Sequence, residues 1–421
     1  MSDEARWMRS LKRAYLPVAV ALFVLAWLKG FRFPNLWSAT HFAFNYSQGF
    51  VRRGLVGEVA RQLWGDDVYR YETFVVFAFV VFFFTVVGFA WAIRRALVND
   101  PRDLGLKVAV LVFASSPGLV FFIHSIGYND YFGILLVLIV LFLASRSRST
   151  FALFYWVVLI SIVSALIHEG LAVMFGPILV LAMVCHVLRR AEAAPMSRGL
   201  TVALVAHTVA ATLILLSLST LVSSIGVEDL DRVQALREYV TQHADFPIRP
   251  KAFDALQRSS EQNLTRLMPW YWSVKSHVDV AIPSWQAFFP GFLWMLAYGV
   301  LAVRRARVPS SSRWILAVLF VLASLAPLAF NFVGWDWGRW NGLALLACFS
   351  SIMTLKSYFP TRAEDTTPVH VLSTGIIAVA IGLASTTPLF DGFQVEFFPF
   401  QAHQDTLERL IEDGFQYRPR G

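Results

Sequence analysis

About eleven apolar windows of roughly 20 residues run through this chain, and that repetition limits its possible folds more than any other feature. A helix rises about 1.5 Å per residue, so about 20 residues cross a hydrocarbon core of about 30 Å. Within that core every backbone group needs a partner in its own segment or in a closed barrel, and windows of this length favour helices. They lie at about 14–30, 73–93, 106–124, 131–145, 151–167, 171–188, 200–222, 285–303, 314–332, 339–355 and 369–389. Of the 421 residues, 57% are hydrophobic and 15% charged, too little charge to wet the surface of a soluble protein this large. The expectation is an all-α integral membrane protein with about 11 transmembrane helices, forming one polytopic membrane domain over residues 1–421.

The first window looks like a secretory signal, with Arg6, Arg9, Lys12 and Arg13 before an apolar run from Tyr15 to Leu28. No small-x-small cleavage site follows, because the run ends in Lys29-Gly30-Phe31-Arg32, so it reads as an uncleaved signal anchor. Between the fifth and sixth windows only His168-Glu169-Gly170 intervenes. One long broken helix would fit there, but two spans keep the loop charges alternating.

Those charges set the orientation. After the basic N-terminus come Arg94, Arg95, Arg102 and Lys107, then Arg146 and Arg148, then Arg189, Arg190 and Arg198. Arg304, Arg305, Arg307 and Arg313 follow, and then Lys356 and Arg362. Every second connection is basic, the positive-inside pattern, which predicts a cytoplasmic N-terminus and a periplasmic C-terminus in the cell inner membrane. The net charge of +8 is accounted for by these loops, and nucleic acid is not an expected partner. Cys185 and Cys348 both fall in apolar segments, so no disulfide framework is indicated.

On this topology the large outer loops are about 31–72, 223–284 and 390–421. Val227, Leu230, Val233, Leu236 and Val240 recur at helical spacing among charges and predict a short amphipathic helix. Met268-Pro269-Trp270-Tyr271-Trp272 resembles an interfacial anchor, and Leu407, Leu410 and Ile411 suggest a second surface helix.

Five polar motifs fall on the predicted outer face. The stretch Asn45 to Glu58 holds Arg52 and Arg53, three glycines and the carboxylate of Glu58. Paired guanidinium groups suit phosphate because they stay charged and bind it bidentately, and the glycines would let backbone N–H groups approach the same anion. Lipid-headgroup snorkelling is the plainer alternative for the arginines. Gly127-Tyr128-Asn129-Asp130-Tyr131 places a carboxylate beside an apolar run, either as a base or as a helix cap. His168 and Glu169 form an ionisable pair at a span terminus, which is costly unless it faces the protein interior. Without a second zincin histidine they do not make a zinc protease site. In Trp335-Asp336-Trp337-Gly338-Arg339-Trp340, Asp336 and Arg339 are spaced to pair on a helix, among three tryptophans suited to an interface belt or a sugar platform. Glu228-Asp229-Leu230-Asp231-Arg232 reads as a solvated helix start.

Inverting sugar transfer needs a carboxylate for the acceptor proton and positive charge for the departing phosphate. The catalytic candidates are Asp130, Glu58, Glu169 and Asp336; the phosphate-binding candidates are Arg52, Arg53 and Arg339. His168, Asn129, Trp335, Trp337 and Trp340 are candidate substrate contacts. With its cytoplasmic N-terminus, span number and helix-containing outer loops, the chain resembles the GT-C class of polyprenyl-phosphate-dependent glycosyltransferases. More loosely, its Arg52-Arg53 pair is similar to the outer-loop arginines of bacterial surface-polysaccharide polymerases. GT-C enzymes place an Asp or Glu, often paired, in the first outer loop. Here that loop has Glu58 and the later Asp66-Asp67, but none directly after the first span. The resemblance implies a lipid-linked sugar donor, a glycan acceptor and a lipid bilayer as partners. The sequence identifies no resident cofactor and leaves a divalent cation open. The alternatives are a transporter or flippase of lipid-linked saccharide, which would need charged or broken helices at mid-membrane, and an acyltransferase using His168 as base.

Overall fold

The computed structural model describes residues 3–193, 230–258, 268–361 and 367–385, apart from 148, 309, 333 and 335, with scattered residues of 206–222 and 262–266 and two short strands at 389–391 and 394–396. Three expectations lie largely or wholly outside the described residues: the 200–222 span, the Glu228-Asp229 start of its motif, and the surface helix around Leu407.

The described fold is helical, with one small antiparallel hairpin pairing Leu389–Asp391 with Gln394–Glu396. α1 (Asp3–Gly30), α4 (Tyr71–Asn99), α7 (Asp130–Arg146), α8 (Thr150–Ile167) and α9 (Glu169–Ala193) form the first part of the bundle. α5 (Leu104–Ser115) and α6 (Pro117–His124) are two halves of one path bent by 50°. The bend has a local cause. Pro117 cannot continue the ladder of α5, and the Ser116 hydroxyl restarts it by accepting from the Leu119 N–H.

Among the described residues five helices are long and apolar enough to cross a membrane, six if the α5–α6 pair is one span, against the eleven that the apolar windows lead one to expect. α1 from Ala14 and the Val369–Ala384 helix are shorter apolar helices. α8 and α9 are separate and pack together, with His168 extended between them, so the broken-helix option does not hold.

Short helices lie between these rods. α2 (Leu36–Phe42) and α3 (Leu55–Trp64) precede α4. α10 (Leu230–His243) buries Val233, Leu236 and Val240 of the predicted stripe but leaves Leu230 at its start exposed, and α11 (Pro250–Gln257) packs against it; Val227 lies outside the described residues. Met268–Ser273 forms a short helical turn with Trp270 and Trp272 exposed. The chain then continues as α12 (Lys275–Arg305), α13 (Ser310–Leu325), α14 (Trp337–Tyr358) and α15 (Val369–Ala384).

α14 is the axis of the bundle, packed against α4, α6, α9, α12 and α13. Its residues from Trp340 to Lys356 are all buried, and Ala344, Ala347, Ser350, Ser351 and Thr354 let neighbours approach closely. At its C-terminal end Lys356 is only 2% exposed and is held by Asp100, Asp103 and Thr361, with Asp100 3.1 Å away. Tyr298 and Thr367 also donate to Asp103, at 2.8 and 3.1 Å. The sequence reading gave Lys356 to a basic surface loop; the fold instead buries it among carboxylates, so its charge is neutralised internally.

Candidate functional site

The opposite end of α14 gathers the polar motifs. The connection from α2 to α3 is folded by its own side chains. Asn45 donates to Ala43 O and to the Tyr69 hydroxyl, both at 2.9 Å, and its carbonyl accepts from the Ser47 N–H. Glu58 accepts from the Tyr46 N–H at 3.0 Å and pairs with Arg61 and Gln62. These donors hold its carboxyl down to about 2, with Arg61 foremost. Glu58 therefore staples the loop together and stands outside the cluster described next.

The glycines work differently from the expectation. Gly49, at φ +98°, and Gly54 spend their N–H groups on Tyr46 O and Val51 O within the loop. Gly57 lets α3 press onto the backbone, where an added Cβ would lie 2.0 Å from Phe44 O. They shape the loop, while the arginine side chains provide the charge.

Arg53 has a left-handed backbone, φ +66°. Its side chain forks onto Glu169, with Nε 3.0 Å from Oε2 and Nη2 on Oε1. Arg52 Nη1 lies 3.7 Å from the same Oε1, and Arg52 Nη2 donates to the carbonyls of Ala255 and Arg258, the latter at 2.7 Å. Arg232 reaches the same loop by donating to Phe50 O at 3.1 Å. His168 Nδ1 accepts the Gly170 N–H at 3.0 Å, which leaves Nε2 as the protonated nitrogen of the neutral ring. Burial, reinforced by the Arg53 charge, holds His168 down to about 3.

A second centre forms where α7 and α14 begin. Arg339 donates from Nε and Nη2 to both oxygens of Asp130, at 2.6 and 2.9 Å. The expected Asp336–Arg339 contact exists but is the weaker one, at 3.4 Å. Asp130 is 3% exposed, whereas Asp336 keeps 49% of its side chain open. Desolvation by the surrounding protein raises the Asp336 carboxyl above the usual range despite Arg339, and nearby Asp130 adds to the rise. Arg339 also lies over the rings of Tyr128 and Trp340, 5.1 and 4.6 Å from their centroids.

His41, which sequence reasoning overlooked, links the two centres. It closes α2, packed edge-on to Trp37 and tilted against Phe44. Burial, then Arg53, His168 and Arg339, hold it well below the ordinary histidine range, so it senses both centres. Its Nε2 is buried without a hydrogen-bond partner, as are Asn129 Nδ2 and Trp340 Nε1. Asn129 sits at the cap position of α7 without making a side-chain cap bond. Its amide borders an apolar cleft lined by Phe42, Phe74, Phe77, Val81 and Phe132. Trp337 packs with Trp272 and Trp285, centroids 4.3 and 5.9 Å away. Trp335 lies outside the described residues. Among the described residues, no three His, Cys, Asp or Glu side chains gather as a metal site.

Residues 14–243 match the family described as uncharacterised membrane protein Rv1490. The chain belongs to that family. The Rv1490 match takes in Arg52, Arg53, Asp130, His168 and Glu169, and stops before Asp336 and Arg339. No curated protein matches the chain, and no solved structure does.

Proposed function

We propose that this membrane protein is a glycosyltransferase of the outer, periplasmic face of the inner membrane. It moves a sugar from a polyprenyl-phosphate-linked donor to a cell-surface glycan or lipid-linked acceptor, as a single transfer or as chain polymerisation. Its chain crosses the membrane about eleven times, with the N-terminus cytoplasmic and the C-terminus periplasmic.

The observation that carries this reading is the meeting of three arginines, three carboxylates and two neutral histidines at one end of α14. Asp336 is the base. It is the open carboxylate of the set, with about half of its side chain accessible to an acceptor hydroxyl and Arg339 3.4 Å away to orient it. The acceptor oxygen then bonds to the anomeric carbon as the bond from that carbon to the phosphate oxygen breaks. Negative charge builds on the leaving phosphate and is met by Arg53, with Arg52 behind it. Asp130 keeps Arg339, and through it Asp336, in position. The first units of the prenyl chain pack in the apolar cleft beside Asn129.

A saccharide transporter would call for charged or broken helices at mid-membrane. Between Arg339 and Lys356, α14 has no charged residue, which favours chemistry on one side. The test is to profile lipid-linked saccharides and surface glycans in a strain lacking the protein. Restored wild type should consume a donor that Arg53→Ala and Asp336→Asn proteins, present at equal membrane levels, leave to accumulate. Unchanged profiles on deletion would refute the reading, and a donor trapped in the inner leaflet would replace it with transport.

A further inference from the structure

We propose that Glu169 is a resident stand-in for a ligand phosphate: its carboxylate occupies the Arg52–Arg53 site, and the phosphate of a lipid-linked ligand binds by exchanging with it. This inference rests on the reading of the arginine loop as a phosphate site and assigns the side chain that controls entry to it.

Three observations point to exchange. First, Arg53 presents its Nε–Nη2 edge to both oxygens of Glu169, while Arg52 Nη1 faces one of the same oxygens. That fork geometry accepts a carboxylate or a phosphate equally well, so the protein supplies its own occupant for an oxyanion position. Second, the guanidinium groups of Arg52 and Arg53 both face the one Glu169 carboxylate beside a neutral His168, a concentration of positive charge that suits an oxyanion.

Third, the two sides of the contact are held unequally. Carbonyls of Ala255 and Arg258 anchor Arg52, so it stays when Glu169 leaves. Among the described residues Arg53 has no hydrogen-bond partner besides Glu169, and its Nη1 edge is unused. Arg53 can therefore follow the new anion. A site already filled by a carboxylate also discriminates. Weak or stray anions have to outcompete a bidentate contact, whereas a phosphate anchored by its prenyl chain arrives at high local concentration.

The test uses the full-length protein in nanodiscs of zwitterionic lipid, with a fluorescent polyprenyl phosphate and inorganic phosphate as separate probes. Glu169→Gln keeps the side-chain shape and removes the competing charge, so it should bind the polyprenyl phosphate about tenfold more tightly than wild type. Glu169→Asp keeps the charge but shortens the reach, and should give a smaller gain. Because it retains a carboxylate, this variant guards against a folding defect in Glu169→Gln. Arg53→Ala should abolish binding in both the wild-type and the Glu169→Gln protein. Competition by inorganic phosphate at comparable concentration would identify free phosphate as a ligand of the exchange, and its failure to compete would identify the lipid carrier. If wild type binds and both Glu169 variants bind equally or more weakly, exchange is overturned while the phosphate site survives. If no protein binds either probe, the phosphate reading itself falls.

Discussion

Replacing Arg339 with methionine isolates the second centre. Asp130 is 3% exposed, and both its oxygens are taken by Arg339 at 2.6 and 2.9 Å, so Arg339→Met leaves a buried carboxylate unpaired. Removing one partner of a buried pair costs about 3–5 kcal/mol. The stacking of Arg339 over Tyr128 and Trp340 is lost as well, which adds about 0.5–2 kcal/mol and places the total toward the upper end. Asp130→Asn in the same chain then removes the stranded charge and should recover most of the loss. The coupling between the two substitutions should therefore reach about 2 kcal/mol or more, within the range found for residues in direct contact. Equilibrium unfolding in mixed micelles, followed by the fluorescence of the 14 tryptophans, measures each corner of the cycle. Effects additive within about 0.5 kcal/mol would refute the argument, because independent sites behave that way.

Lys356→Met should be at least as damaging to stability, about 3–5 kcal/mol, since it leaves Asp100 and Asp103 buried together; combining it with Asp100→Asn and Asp103→Asn should return much of that loss in the same unfolding assay. Glu58→Gln should loosen the arginine loop only above about pH 4.5. The depressed carboxyl contributes stability when ionised and loses that contribution as pH falls toward about 2, so the thermal shift between wild type and variant should close in acid. Gly57→Ala forces a Cβ to within 2.0 Å of Phe44 O, and protease sensitivity should appear between Tyr46 and Glu58 while the long helices stay protected.

The parts of this protein legible in its sequence were those carried by local periodicity. The apolar windows that fall within the described residues are helical, and Val233, Leu236 and Val240 form the buried stripe of α10. Counting spans and charges put these motifs on one side of the chain, and Arg52, Arg53, Asp130, His168, Glu169, Asp336 and Arg339 do lie at one end of α14. The partners within that gathering were not legible. Arg53 meets Glu169 across 116 positions and Arg339 meets Asp130 across 209, and no local rule connects residues so distant. The i,i+3 rule paired Arg339 with Asp336 instead, because it cannot weigh a buried competitor from another helix. Sequence alone makes Glu58 a catalytic candidate, as a carboxylate in the arginine loop, whereas its contacts are to Arg61, Gln62 and Tyr46. His41 lacked any motif; its importance comes from where α2 is packed.

The two charged clusters on α14 differ in a way that bears on the proposed site. Arg339 and Lys356 are seventeen residues apart, so about 25 Å of buried helix separates them, close to the thickness of a hydrocarbon core. Both clusters set arginine or lysine against aspartate in a mostly dry environment, yet they differ in how completely they are closed. At Lys356, Asp100 and Asp103 accept from lysine, threonine, tyrosine and backbone donors, and little capacity remains for a ligand. Such closure suits a pin that fixes the ends of α4, α5 and α14. Around Arg339 and Arg53, Asp336 stays half open, His41, Asn129 and Trp340 keep unpaired nitrogens, and an apolar cleft approaches beside them. Buried donors without partners are costly to maintain. Tyr358 and His186 leave unpartnered atoms near Lys356 as well, so what separates the two ends is the open Asp336 carboxylate and the apolar cleft at the Arg339 end, the features on which the proposed lipid-linked phosphosugar ligand depends.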